Sequence, residues 1–227
     1  MGLRGVHFSS NFRLCAYVTS PDRPFVVGLS GPTGTGKTAL GAHMGERPGV
    51  VFLREPDPSA MLVRMLRERD IRAVEIQDFL VRERHRLIQE AIRNARAGQV
   101  VLVDRLPSED RAVFFELHHS TGSISASELA RLLEVVSELG ADPVEPDLVL
   151  FMSADKLTLR RRLSSRPEGV WLLEHLDLQL TLYRDYRRRL ETSGRPMHTI
   201  DTSGLGPEEL LEQARLCWDL IEASRRG

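Results

Sequence analysis

The residues with the clearest chemical potential lie in one glycine-rich segment, residues 31–38. This segment matches the pattern G-x-x-x-x-G-K-[ST] at every fixed position. Its glycines let backbone N–H groups converge on phosphate oxygens, and the dipole of a following helix favours negative charge there. The lysine can reach the β- and γ-phosphates of a nucleotide, and the final hydroxyl can ligate Mg²⁺. The predicted phosphate-binding residues are Gly31, Pro32, Thr33, Gly34, Thr35, Gly36, Lys37 and Thr38.

The surroundings of this segment favour a phosphate loop over a flexible glycine turn. Residues 25–30 form a short apolar run bounded by glycine, as expected of a strand buried on both faces. A helix is predicted to begin near Lys37. A strand before the loop and a helix after it are the context that a phosphate loop requires. The motif alone leaves ATPases, GTPases and kinases open.

Charged residues also follow the next two predicted strands. Glu55 follows the apolar run 50–53 after one intervening residue, and the run 100–103 leads into Asp104 and Arg105. In an open parallel sheet, ligands bind beyond the carboxyl ends of the strands. We therefore expect both acids to lie beside the phosphate loop.

The elements that must hold these residues alternate between strands and helices. Two further strands are predicted at 148–151 and around 197–200. This alternation predicts an α/β fold with a five-stranded parallel sheet covered by helices on both sides. We expect residues 25–227 to form this domain and residues 1–24 to be an irregular N-terminal extension. Helical patterns occupy residues 59–97 with a break near Asp70, 108–119, 126–140, 157–163, 172–190 and the segment after Pro207.

The bulk composition excludes several other classes of protein. A chain of 227 residues suits one domain, and its 31 basic and 32 acidic residues give no excess of positive charge for nucleic-acid binding. No apolar run approaches the roughly 18 residues of a membrane span. Cys15 and Cys217 match no metal-ligand spacing. We therefore expect a cytoplasmic protein without nucleic-acid or membrane partners.

Other polar residues lie in the long helical stretch and directly after the third, fourth and fifth predicted strands. Gln77 and Arg84 lie seven residues apart in the long helical stretch, so they share a face. The segment 104–110, Asp-Arg-Leu-Pro-Ser-Glu-Asp, follows the third strand. The segment 159–166, Leu-Arg-Arg-Arg-Leu-Ser-Ser-Arg, follows the fourth, and the loop 200–203 ends the fifth.

Together with the Phe-Leu-Arg-Glu-Pro segment at 52–56, this order resembles that of the deoxynucleoside kinase family over roughly residues 25–224. The resemblance implies a P-loop kinase fold with an arginine-bearing lid. It also implies transfer of phosphate from ATP, with Mg²⁺, to the 5′-hydroxyl of a deoxynucleoside in nucleotide salvage. In that family the acid matching Glu55 accepts the proton of the attacking hydroxyl. A solvated loop acid is the alternative interpretation for an isolated Glu-Pro pair.

The resemblance also assigns roles in the segment 104–110. Asp104 would hold Mg²⁺ with Thr38, directly or through water. Arg105 would contact the 5′-oxygen and the phosphoryl group. Leu106 stands where the family usually has serine, and Ser108 with Asp110 could instead cap the next helix.

For the acceptor, the resemblance implies that Gln77 pairs with the edge of the nucleobase and that Arg84 lies against its far side. Asp110 would face the nucleobase together with these two residues. A carboxamide offers a donor and an acceptor, which suits a base edge. Exposed Gln and Arg are common on helices, which is the alternative for either residue alone. The combination favours adenine, guanine or cytosine over thymine, and among these a purine.

The lid is represented by the arginines of segment 159–166. Arg162 and Arg166 match the family's spaced pair, whose guanidinium groups grip the ATP phosphates. Glu168 replaces a third arginine, and could stand for the family's glutamate that binds the sugar 3′-hydroxyl. A solvent-exposed basic helix face would explain Arg160 and Arg161 equally well. The loop 200–203 would surround the adenine of ATP.

Two other functions remain open on the sequence. A nucleoside monophosphate kinase of the thymidylate kinase type would need an extra basic group for its acceptor, such as Arg54 or Arg64. A nucleotide-binding regulator without transfer activity is suggested by Leu106 and the reduced lid. The family resemblance further implies a homodimer formed through the helices near 108–119 and 126–140.

Overall fold

The computed structural model describes residues 23–57, 61, 71–140, 145–165 and 169–226. The strands are β1 (Phe25–Ser30), β2 (Val50–Leu53), β3 (Val100–Asp104), β4 (Leu148–Ser153) and β5 (Met197–Asp201). The first helices are α1 (Lys37–Met44), α2 (Ala73–Asn94), α3 (Pro107–Glu109), α4 (Phe115–Ser120) and α5 (Ala126–Glu138). They are followed by α6 (Lys156–Leu163), α7 (Gly169–Glu174), α8 (Leu176–Thr192) and α9 (Pro207–Arg226).

The five strands form one parallel sheet in the order β2-β3-β1-β4-β5. The predicted α/β fold with a five-stranded parallel sheet is therefore confirmed. After β1 the chain runs first to β2 at one edge, and after β3 it crosses to β4 on the other side of β1. This reversal opens a crevice at the carboxyl ends of β1 and β3, where parallel sheets bind ligands.

Both faces of the sheet are buried, because successive side chains of a strand point to opposite sides. On one face the sheet packs against α1 and α9; this cluster includes Val27, Leu29, Leu40, Met44 and Ile221. On the other face it packs against α2 and α8; the contacts there include Val26, Val103 and Ile88, and Val149 with Tyr183. Helices therefore cover both faces of the sheet beneath the loops at the carboxyl ends of its strands.

The structure differs from two of the predicted helices. The predicted helix 108–119 is interrupted by a π-helical turn, Asp110–Phe114, in which the N–H of Phe115 donates to the carbonyl of Asp110. The wider turn places both Asp110 and Phe114 in buried positions, and such turns are frequent at functional sites. The predicted helix 172–190 is two helices, α7 and α8, divided at His175.

Some expectations fall outside the described residues. The proposed extension 1–24 is described only from residue 23, and the helical pattern 59–97 is described only at residue 61 and from residue 71. The predicted break near Asp70 lies outside the described residues, and α2 ends at Asn94 rather than at residue 97. In the part of the chain that the structure describes, no helix is long and apolar enough to cross a membrane. The homodimer through α3–α5 stays a prediction.

Candidate active site

The phosphate loop lies between β1 and α1, as the motif predicts. Gly31 has φ of 126°, and a Cβ atom there would lie 2.0 Å from the carbonyl oxygen of Met152 on β4. Only glycine fits this close approach. The loop is closed by Thr35, whose hydroxyl donates to the carbonyl of Pro32 at 2.9 Å. Its last glycine, Gly36, is left-handed and precedes the first turn of α1.

Lys37 is the buried cation of this loop. Its Nζ donates to the carbonyl oxygens of Gly31 and Pro32 at 2.6 and 2.9 Å. Burial, and then the nearby positive charge of Arg105, lower the pKa of Lys37 to about 8. The acids around it act in the opposite direction. The Lys37 side chain therefore folds back onto its own loop. We expect its ammonium group to leave these carbonyl oxygens when phosphates bind.

Thr38 and Asp104 meet at the end of β3. The Thr38 hydroxyl donates to Oδ2 of Asp104 at 2.6 Å, whereas Oδ1 of Asp104 is buried and has no hydrogen-bond partner. A buried carboxylate oxygen without a partner is costly unless a ligand completes it. The two oxygen ligands that Mg²⁺ prefers are thus adjacent, and one lone carboxylate oxygen remains available.

Glu55 lies between two arginines from different elements. Its Oε1 accepts a hydrogen bond from Arg84 Nη2 of α2 at 2.9 Å and lies 3.1 Å from Nε of Arg105. Burial alone would raise the pKa of Glu55, but Arg105 and then Arg84 outweigh it and hold the pKa below its ordinary value. The side chain is still 29% exposed. Glu55 is therefore an ionised carboxylate that an incoming hydroxyl can reach.

Arg105 occupies a strained position directly after β3. Its φ of 75° is left-handed, which is uncommon for a residue with a side chain. Its N–H donates to the carbonyl of Leu29 at 3.0 Å, and its guanidinium lies 3.9 Å from the centre of the Phe114 ring. A cation above an aromatic face is attracted by the ring quadrupole. The turn thus directs the Arg105 guanidinium toward Glu55, which follows the neighbouring strand β2.

Leu106, which stands where the family usually has serine, has a packing role. Its side chain is 2% exposed and fills the space next to Gly28 of β1. A Cβ atom at Gly28 would lie 2.5 Å from Leu106 Cδ2, so a small residue on β1 makes room for the large one on the loop. The substitution leaves Arg105 beside Glu55.

Three of the predicted acceptor residues are buried: Gln77 and Arg84 on α2, and Asp110 on the π-helical turn. Arg84 is ion-paired with Asp110 as well as with Glu55. Burial raises the pKa of Asp110, although Arg84 opposes this. Gln77 is 5% exposed, and its Oε1 has no partner, as is true of Arg84 Nε. A buried amide oxygen without a partner is consistent with a ligand that supplies the missing donor.

Arg162 contacts protein carbonyls rather than an open cleft. Its guanidinium donates to the carbonyl oxygens of Gly34, Thr202 and Leu205 and to the Thr202 hydroxyl, at 2.9 to 3.2 Å. It therefore ties the phosphate loop to the loop after β5. Its contact with ATP phosphates stays a prediction. Arg166 and Glu168 lie outside the described residues, and Arg160 and Arg161 are exposed.

Two buried residues at this site were not singled out from the sequence. Glu109 is 0% exposed and lies close enough to Lys37 and Arg105 to influence the pKa of both. Tyr183 of α8 donates its hydroxyl to Glu109 at 2.7 Å. A glutamate at the third position of a short helix is an ordinary capping residue, so the sequence carried no signal for a partner on α8.

The fold and the phosphate loop define a P-loop protein whose site has paired acids and arginines where phosphoryl transfer would need them. A sequence profile of the deoxynucleoside kinase family matches residues 27–204. The chain belongs to the deoxynucleoside kinase family. It is therefore a phosphotransferase that phosphorylates nucleosides, as the motif order predicts. Comparison with curated proteins finds no significant match.

Solved structures with a similar fold include kinases of two kinds. Deoxyadenosine kinase from M. mycoides, with the products dCMP and a flexible dCDP bound, has a TM-score of 0.70 at 14% identity, over 86% of this chain and 99% of that chain. The same kinase with bound dATP has a TM-score of 0.66 at 15% identity, over 85% and 98%. Thymidylate kinase from Candida albicans has a TM-score of 0.66 at 15% identity, over 91% and 94%. At these identities the likeness concerns the fold.

Proposed function

We propose that the enzyme transfers the γ-phosphoryl group of ATP to the 5′-hydroxyl of a purine deoxynucleoside, giving the 5′-monophosphate and ADP. The observation that carries this proposal is the position of Glu55. Its carboxylate is paired with Arg105 at the same sheet edge that holds Lys37 and the Thr38–Asp104 pair. Donor phosphate, metal and nucleophile can therefore share one cavity.

In the proposed transfer, Glu55 orients the 5′-hydroxyl and accepts its proton as the new bond to phosphorus forms. The lowered pKa keeps its carboxylate ionised, so an acceptor oxygen is available at neutral pH. Arg105 lies against this carboxylate and stabilises the charge on the transferring group. Both residues act by position and electrostatics: Arg105 is buried, and Glu55 remains partly exposed toward the acceptor.

ATP would lie along the phosphate loop, with Lys37 moving from its carbonyl partners to the β- and γ-phosphates. Asp104 and Thr38 fit Mg²⁺, because their oxygens are adjacent and Asp104 Oδ1 lacks a partner. When bound, Mg²⁺ would neutralise charge on the phosphates. Within the described residues, no group of three or more His, Cys, Asp and Glu side chains could hold a metal ion. Phosphate oxygens would therefore complete this metal site.

Asp104→Asn is expected to raise the Mg²⁺ concentration for half-maximal activity by about 10- to 100-fold, because the metal loses a charged partner. The measurement is a Mg²⁺ titration of ADP formation at fixed ATP. The control is Asp219→Asn, a change at an exposed acid of α9. An unchanged Mg²⁺ requirement in Asp104→Asn would remove Asp104 from the metal site.

ATP binding at pH 8 is expected to take up about half a proton, because the pKa of free Lys37 is about 8 and phosphate charges raise it. As the pH rises through this value, the free enzyme loses the ammonium charge and ATP binding weakens. Calorimetric binding of ATP in two buffers of different ionisation enthalpy measures the uptake. Lys37→Arg is the control, since a guanidinium stays protonated. Equal apparent enthalpies for the unmodified enzyme would contradict this protonation change.

The acceptor's base would lie against Gln77, Arg84 and Asp110. The free Gln77 Oε1 can accept a hydrogen bond from an exocyclic amino group, which adenine carries and thymine lacks at this edge. Cytosine carries such an amino group as well, and the deoxyadenosine kinase of similar fold has been solved with the product dCMP and with dATP, so the acceptor panel must include deoxycytidine. Glu168 is proposed to bind the sugar 3′-hydroxyl, and Arg166 to join Arg162 at the ATP phosphates.

The test is a panel of the four deoxynucleosides and their four 5′-monophosphates with Mg-ATP, followed by ADP formation. We expect turnover with deoxyadenosine and deoxyguanosine and none with the monophosphates. Turnover with monophosphates alone would make the chain a nucleotide kinase instead. ATP binding without any acceptor-dependent ADP formation would favour a regulatory role.

A further inference from the structure

Glu109 is a buried carboxyl group that the proposed transfer does not use. Both of its oxygens have partners: Oε1 accepts from the Leu106 N–H at 3.1 Å, and Oε2 from the Tyr183 hydroxyl at 2.7 Å. Burial raises the pKa of Glu109, while Arg105 and Lys37 act in the opposite direction. An acid in this position is costly to bury, and packing alone does not account for it.

The first partner of Glu109 fixes the strained turn that carries Arg105. The Leu106 N–H belongs to the peptide directly after Arg105, whose backbone is left-handed. The preceding peptide is fixed by the bond from Arg105 N–H to the Leu29 carbonyl. A left-handed residue with a side chain persists only where its surroundings hold it. Glu109 and β1 together hold the two peptides that flank Arg105.

The second partner of Glu109 comes from a distant part of the chain. Tyr183 is 1% exposed, and its ring packs edge-on against Phe114 and Phe151 with centroid distances of 6.3 and 6.4 Å. Burial, and then the charge of Glu109, raise the pKa of Tyr183 well above its ordinary value, so the hydroxyl stays a donor. Phe114 is also the ring beneath the Arg105 guanidinium. Tyr183 therefore contacts two residues that hold Arg105: Glu109, which binds the peptide after it, and Phe114, whose ring lies beneath its guanidinium.

We propose that Glu109 and Tyr183 form a positioning pair that holds Arg105 in the geometry required for phosphoryl transfer. This inference rests on the proposed role of Arg105 in that reaction. Neither member touches the reacting atoms. The competing explanation is that Glu109 only caps α3 and that Tyr183 only fills the core, in which case their loss would affect stability alone.

The test compares two tyrosines of α8, each of which is hydrogen-bonded to a residue of the short helix α3. Tyr183→Phe removes the bond to Glu109, whereas Tyr186→Phe removes a bond of 2.7 Å to Ser108. We expect Tyr183→Phe to lower kcat about tenfold, the order expected when a charged group loses a hydrogen bond, with KM for ATP unchanged. Tyr186→Phe should leave kcat unchanged.

The decisive step repeats Tyr183→Phe in an Arg105→Ala background. A pair that acts through Arg105 has nothing left to position there, so the second substitution should cause no further loss of kcat. An equal loss in both backgrounds, or an equal loss from Tyr186→Phe, would overturn the proposal. If Tyr183→Phe fails to fold, Glu109→Gln takes its place with the same expectation.

A second readout does not depend on turnover. The Arg105 Nε–H resonance, assigned by its absence in Arg105→Ala, should shift or broaden in Tyr183→Phe and stay in place in Tyr186→Phe. An unmodified enzyme that shows no acceptor-dependent ADP formation would defeat the proposed function. An unchanged Arg105 resonance in Tyr183→Phe would defeat the positioning pair.

Discussion

Glu55→Gln is expected to lower kcat by about 10²- to 10⁴-fold, the range for loss of a positioned acid–base group, while KM for ATP stays nearly unchanged. Glutamine keeps the size of the side chain and can still orient a hydroxyl. It cannot take the proton of the attacking 5′-hydroxyl, and it no longer balances Arg84 and Arg105. Steady-state kinetics with varied ATP and varied deoxynucleoside measure the effect.

The control for this substitution is Glu46→Gln, at an acid just after α1 that is 75% exposed. Its kinetics should match those of the unmodified enzyme. Transfer by Glu55→Gln at a rate close to that of the unmodified enzyme would show that the carboxylate is not the proton acceptor. A large rise in KM for ATP at constant kcat would place Glu55 on the donor side instead.

Arg105→Ala is expected to lower kcat by about 10²- to 10³-fold, because a preorganised cation is lost from the transferring group. It should also move the acid limb of the pH profile to higher pH. Apart from burial, which raises it, Arg105 is the main influence that holds the pKa of Glu55 below its ordinary value. Without that charge the carboxylate takes up its proton at a higher pH, so activity is lost earlier on acidification.

The measurements are kcat and its pH dependence, with Arg111→Ala as the matched control. Arg111 is exposed on the π-helical turn near the same site. Its loss should change neither the rate nor the acid limb. A rate loss in Arg105→Ala without movement of the acid limb would mean that the 3.1 Å contact with Glu55 does not set the charge of that carboxylate.

Several parts of this site were predictable from sequence because they depend on local pattern. The segment 31–38 encodes its own turn, and buried strands are readable as short apolar runs. The parallel arrangement then brings the residues after each strand to one edge. The adjacency of Thr38 and Asp104, 66 residues apart, follows from that rule and is present in the structure at 2.6 Å.

Other parts depend on which long side chain reaches which partner, and periodicity does not carry that information. The sequence predicts that Arg162 contacts phosphates, but it does not reveal that the guanidinium also reaches the carbonyls of two loops. The bond between Glu109 and Tyr183 joins residues 74 apart whose types are ordinary for a capping acid and a core tyrosine. The π-helical turn Asp110–Phe114 lies within a segment whose apolar pattern is that of an ordinary helix, so the pattern alone could not reveal it.

The proposed reaction joins the γ-phosphate of ATP to the 5′-hydroxyl of a deoxynucleoside. The most direct measurement is a phosphorus–proton correlation spectrum of the product formed from Mg-ATP and the best deoxynucleoside acceptor. We predict one phosphomonoester phosphorus coupled to the two 5′ protons of the sugar. A phosphorus coupled to the 3′ proton, a deoxynucleoside diphosphate, or inorganic phosphate as the only product besides ADP would contradict the proposed reaction.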